Sequence, residues 1–236
     1  MRRQLPSALA ALALLSLLAA SACTPRVVVP DAERDRTRAA LDGQQRYLRV
    51  AVTVHALFGD TGKRLILDGP PAEADLLRGG QGELIAPPPF EKVLPPGTPV
   101  RVERVEFPTG LLIAGRVVMS PRYHPWVLLS IPGEARPHVL VLPQTTATAA
   151  DALAEVDRVL ASDDPSAVFA ALAPEQREAV LRKELTDGMS TRTVEMAWGL
   201  PEKKRIDRPA RTEEWAWPGG KRRASFSDEK LVRWER

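Results

Sequence analysis

The sequence predicts an α+β protein: a small β-barrel or sandwich followed by a compact α-α-β-β-β module. Three observations carry this. Between Tyr47 and Leu142 apolar residues recur with period two in short runs separated by turn chemistry. At Thr148 the apolar period becomes helical. From Asp187 onward a well-punctuated short helix is followed by strand–turn–strand patterning to the end of the chain. The 22 prolines also suit a loop-rich β domain better than a helical bundle, because proline removes a ladder donor and gathers in turns and edges.

Arg2 and Arg3 precede an apolar run from Ala8 to Ala20, which ends in the small residues Ala20, Ser21 and Ala22. This is the pattern of a secretory signal peptide over residues 1–22, and the run is shorter than the roughly 20 residues a spanning helix needs. Next comes Cys23, the only cysteine of the chain, which has no partner for an internal disulfide. The segment Leu18-Ala19-Ala20-Ser21-Ala22-Cys23 resembles the lipobox of bacterial lipoproteins. That resemblance implies acylation of Cys23, a membrane anchor, and, with Thr24 following, placement at the periplasmic face of the outer membrane. Several acyl chains make a stable anchor, since each buried methylene contributes about 0.8 kcal/mol.

Loss of Arg2 and Arg3 lowers the net charge from +3 to +1, so overall charge does not point to nucleic acid. Residues 23–45 are charge-dense, carry Pro25 and Pro30, and have no continuous apolar face; a tether with a short helix over Ala32–Leu41 is expected.

The β-rich region covers 46–145. Leu48, Val50, Val52, Val54 and Ala56 share one face of an expected strand, with Arg49, Thr53 and His55 opposite. Further strands are expected at Arg64–Asp68, Glu83–Ala86, Val100–Phe107, Leu111–Met119, Trp126–Ile131 and His138–Leu142, separated by turns such as Gly59-Asp60-Thr61-Gly62 and Pro95-Pro96-Gly97. The segment LPPGTPVRVERVEF, Leu94 to Phe107, is similar to strand entries of bacterial SH3-like barrels.

Residues 146–173 are expected to form a helical bridge. Thr148 and Asp151 make an acidic capping box, and Leu153, Val156 and Leu160 share a face. Pro165 starts a second short helix and Pro174 a third, through about Leu185. In the final module, 174–236, Ser190 caps a helix that carries Val194, Ala197 and Trp198, and Gly199 with Pro201 ends it. Strands are expected at Glu213–Trp217, Arg222–Ser227 and Lys230–Arg236.

Gly188-Met189-Ser190, Val194, Gly199-x-Pro201, the pair Trp215 and Trp217, and Phe226 ahead of Leu231-Val232 together resemble the SmpA/OmlA (BamE-like) outer-membrane lipoprotein family over about a quarter of the chain. The resemblance implies a non-enzymatic interaction or scaffolding module in envelope or outer-membrane protein assembly, with an envelope protein as partner. Two alternatives stay open: a cell-wall or ligand-binding lipoprotein that works through its β-rich region, and an inhibitor-like module that presents hairpins.

Four of the five tryptophans, Trp198, Trp215, Trp217 and Trp234, fall in the last module. A domain this small needs such residues for its core. The functional reading makes Trp215, Trp217 and Trp234 a partner or lipid contact. From Lys203 to Arg236 there are 11 Lys and Arg against 6 Asp and Glu, and Lys221, Arg222 and Arg223 at a hairpin are candidates for anionic headgroups. His55, His124 and His138 are far apart in sequence and lack a second ligand at helical or hairpin spacing, so no metal is expected. No nucleophile elbow or phosphate loop is present either, and neither cofactor nor small-molecule substrate is indicated.

Overall fold

The computed structural model describes residues 27–217, 220 and 222–236. The signal segment, Cys23 and Lys221 lie outside the described residues.

Helix α1 (Asp31–Leu41) leads into β1 (Gln45–Leu48), β2 (Val52–Leu57) and β3 (Asp60–Leu67). A 3-10 turn at Pro71–Glu73 precedes β4 (Phe90–Leu94) and β5 (Pro99–Glu106). Then come α2 (Gly110–Gly115), β6 (Trp126–Ser130), β7 (His138–Val141), α3 (Ala149–Val159) and β8 (Leu160–Ala161). These strands form one curled, half-barrel sheet of order β4-β2-β3-β7-β6-β5-β1-β8. Every pairing is antiparallel except β3 with β7.

The remainder is α4 (Ser166–Ala170), α5 (Pro174–Arg182), α6 (Thr191–Trp198) and β9 (Lys203–Asp207), β10 (Thr212–Ala216), β11 (Arg223–Ser227) and β12 (Lys230–Glu235). The last four form a separate antiparallel sheet in the order β12-β11-β10-β9. The fold is therefore α+β with two sheets.

The curl follows from one bend. The residues Leu48 to Ala56, expected as a single strand, break at Arg49–Ala51, so β1 pairs with β5 while β2 pairs with β3 and β4. Three residues thus join two distant positions of the sheet order. The bend is held by the second half of the chain: the Arg49 N–H donates to the Val159 carbonyl at 2.8 Å and the Ala51 N–H to the Met196 carbonyl at 2.9 Å. Ala51 is buried among the residues of the C-terminal core rather than those of its own sheet.

One face of the curled sheet packs on α1 and α3, where Leu41, Val156 and Val159 meet Val50, Val102, Val127 and Leu140. The expected tether therefore contains a docked helix, and the expected bridge contains α3, which covers the sheet. Thr148 caps α3 as anticipated, accepting from the Asp151 N–H at 3.1 Å while the Asp151 carboxylate accepts from the Thr148 N–H at 2.9 Å. A smaller cluster of Leu57, Leu65, Trp126, Leu128 and Val139 fills the opposite face.

Several expectations change. Leu111–Met119 is not a strand but α2 and a turn, because its apolar residues do not alternate and Gly110 and Gly115 bracket one helical turn. Glu83–Ala86 makes a single bridge, Leu84 to Arg78, and no strand. The C-terminal sheet has four strands where three were expected: β9, whose residues are all exposed, has no period-two burial to announce it.

Candidate functional site

The C-terminal core arises from two amphipathic helices laid against one face of the small sheet. Along β10 the alternation puts Trp215 inward, and Trp217 follows on the same face. Trp217 meets Trp198 edge-on at 5.1 Å, and Trp215 packs on Phe226 at 4.6 Å. Their polar edges are satisfied inside: Trp217 Nε1 donates to the Gly199 carbonyl at 3.0 Å and Trp215 Nε1 to Glu213 at 2.8 Å. Trp215 is 3% exposed and Trp217 1%, so neither is a surface contact; the core reading holds for both. Trp234 is half-buried against the same core.

The helices cover the apolar face of this sheet. Its other face is polar. Row by row it carries Lys203, Ala216, Arg223 and Glu235, then Arg205, Glu214, Ser225 and Arg233. Arg223 is thus on the outer face and exposed, whereas Arg222 turns inward and is half-buried.

That inward turn brings Arg222 to an open cleft of about 1170 Å³ that is otherwise lined by the curled-sheet module. Its sheet side carries Asp68 at the end of β3, Glu73 on the 3-10 turn and Glu155 of α3; Arg158 of α3 lines it as well. Burial pushes the Glu155 carboxyl up; Arg158, 3.8 Å away, pulls against this and Asp68 adds to it. The guanidinium of Arg222 lies 5.7 Å from the Trp198 ring, and its buried Nε has no hydrogen-bond partner among the described residues. Desolvation lowers its pKa, while Glu73 and Asp68 attract its charge without touching it.

Behind this wall sits Lys183, in the left-handed conformation that ends α5. It is buried, its Nζ donating to the Ala197 carbonyl at 3.1 Å while its own carbonyl accepts from Trp198 Nε1 at 3.0 Å. Burial holds the ammonium pKa down to about 8, with Asp68 opposing the shift. The cleft thus sets Asp68, Glu73 and the Glu155–Arg158 pair of the first module against Arg222 of the second, while Lys183 is buried outside its lining.

At the other end of the cleft His124 is buried. Its Nδ1–H donates to the Leu142 carbonyl at 2.9 Å, Gln144 Nε2 donates to its Nε2 at 3.0 Å, and burial lowers its pKa. The guanidinium of Arg116 lies 3.7 Å from the Trp126 ring, donates to the Arg122 and His124 carbonyls and pairs with Glu106 at 3.1 Å. It is a brace for the loop between β5 and β6. His55 is bound to Pro88 and Thr53, and His138 is fully buried elsewhere. Among the described residues no group of three or more His, Cys, Asp or Glu side chains could hold a metal ion.

Of the candidates named from sequence that lie among the described residues, only Arg222 lines the cleft. Asp68, Glu73, Glu155, Arg158 and Lys183 carry no local signal, since four separate segments supply them. Compared with known proteins, the chain matches no family, no curated sequence and no solved structure.

Proposed function

We propose that this chain is an outer-membrane lipoprotein, anchored through Cys23 at the periplasmic face, that acts as a non-enzymatic interaction or scaffolding module in envelope or outer-membrane protein assembly. The observation that carries the reading is the cleft, where Arg222, whose Nε has no hydrogen-bond partner among the described residues, faces Asp68 and Glu73. Charged side chains of both signs facing one another across the cleft suit a polypeptide segment that supplies both signs. The lipobox resemblance of Cys23 supports the location. The resemblance to the SmpA/OmlA family supports the class, with the two helices ahead of the sheet in the order that family implies and β9 as an addition to it.

The test is crosslinking in the intact envelope from a photoreactive residue at Glu73, with metabolic palmitate labelling alongside. A discrete crosslinked envelope protein, lost in Arg222→Glu, is the expected result. Palmitate incorporation that persists in Cys23→Ala, or no crosslink above background with the wild-type cleft, overturns the reading.

A further inference from the structure

The loop between β5 and β6 has a surface unlike the rest of the molecule. From Phe107 to Pro121 its single charged residue is Arg116, and that side chain is buried, stacked on Trp126 and paired with Glu106. What the loop shows to water is apolar: Leu111 is 90% exposed, Val118 69% and Met119 56%. Across these fifteen residues no charge faces solvent, and exposed apolar side chains gathered in one short segment are of the kind that marks a contact; Val118 and Met119 also line the rim of the cleft. At its border Arg122 stacks on Tyr123 at 4.9 Å and donates to its hydroxyl at 2.8 Å, an aromatic and a cation at the edge where lipid interfaces favour both.

The chain's own path says what covers it. Glu106, the last residue of β5, pairs with Trp126, which pairs with Val141 at the end of β7, so the loop and the exit toward α3 share one end of the sheet. The start of α1 is at that end too, because the Glu33 carboxylate accepts from the Ala149 N–H at 2.9 Å and Val29 is buried in the same core as Phe107. From Cys23 to Val29 the chain is six residues long, a reach of about 20 Å when extended. An acylated Cys23 therefore holds this end of the sheet close to the bilayer.

We propose that the Leu111–Met119 loop docks into the phospholipid surface to which Cys23 is anchored, a second apolar contact that fixes the orientation of the protein on the membrane. The docking rests on the reading of Cys23 as the anchor. The test uses the full acylated chain in phosphatidylethanolamine and phosphatidylglycerol vesicles, with an environment-sensitive fluorophore on Leu111→Cys, on Val118→Cys or, as a control on the outer face of the C-terminal sheet, on Arg233→Cys. Acylated Cys23 has no free thiol, so the introduced thiol alone is labelled.

Blue-shifted emission at 111 and 118, quenched by nitroxide lipids, with water-like emission at 233, is expected. Water-like emission at 111 and 118 in protein that carries palmitate and stays on the vesicles overturns the docking alone. Chain that carries no palmitate and washes off overturns the reading of Cys23, and the docking falls with it.

Discussion

Replacing Lys183 with methionine should stabilise the protein at neutral pH and remove a specific pH dependence. The lysine ammonium is buried and its pKa falls from the usual 10.5 to about 8. At about 1.4 kcal/mol per pH unit, the folded state carries a penalty of about 3 kcal/mol while the group is charged. The hydrogen bond to the Ala197 carbonyl, worth about 1 kcal/mol, is lost with the ammonium, so Lys183→Met should gain about 2 kcal/mol at pH 7. The left-handed backbone at this position is common to both residues and cancels.

The pH dependence has a definite sign. Above pH 8 the folded protein releases the proton while the unfolded chain still holds it, so stability rises with pH until the unfolded value near 10.5 is passed. For the wild type this contributes about 2 kcal/mol between pH 7 and pH 9.5. Urea denaturation of both proteins across that range is the assay, and other titrating groups cancel in the difference between them. The advantage of Lys183→Met should shrink by about 2 kcal/mol over the range. An advantage that stays constant, or a variant less stable than wild type at pH 7, would refute the assignment of a desolvated charge here.

Other substitutions probe other links. Asp228 and Glu229 hold φ of 52° and 62° in the turn between β11 and β12, a type I′ geometry that favours glycine at its second position. Glu229→Gly should raise stability by about 0.5–1 kcal/mol, read as a higher thermal midpoint. Thr148→Ala removes the cap of α3 and should cost about 1 kcal/mol in chemical denaturation, with native far-ultraviolet dichroism retained. Trp217→Ala deletes the ring that joins Trp198 to Trp215 and leaves the Gly199 carbonyl unpaired. A loss of about 3–5 kcal/mol is expected, enough to abolish the near-ultraviolet dichroism of the C-terminal core.

Where residues a few positions apart settle an outcome, the sequence was legible. The Thr148–Asp151 box, the Ser190 cap with its stop at Gly199, and the inward face of Trp215 and Trp217 all formed as read. Each is decided by local hydrogen bonding or by strand alternation. β4 leaves no period in the sequence because Phe90–Leu94 follows three prolines, has no buried residue, and owes its strand to the β2 edge. β8 is two residues that continue from α3 into a pairing with β1, too short for any period. At Leu111–Met119 the reverse holds: high apolarity without alternation belongs to α2 and a turn, not to a strand.

The candidate site was the least legible part, for a related reason. Arg222 and Arg223 are neighbours of the same type, and which of the two enters the cleft depends on the face of β11 that meets the helices. Lys183 reads as an ordinary helix-end cation until α6 packs on it, with its Nζ donating to the Ala197 carbonyl and its own carbonyl accepting from Trp198 Nε1.

The sequence by itself determined the helix ends, the strand faces and the tryptophan core, because capping and side-chain periodicity act over three or four residues. The break at Arg49–Ala51, the closure of the two modules over it, and the approach of Arg222 to the charged cleft were decided only by tertiary structure. Their energies come from burial and desolvation among groups more than a hundred residues apart, and no short window of sequence contains both partners.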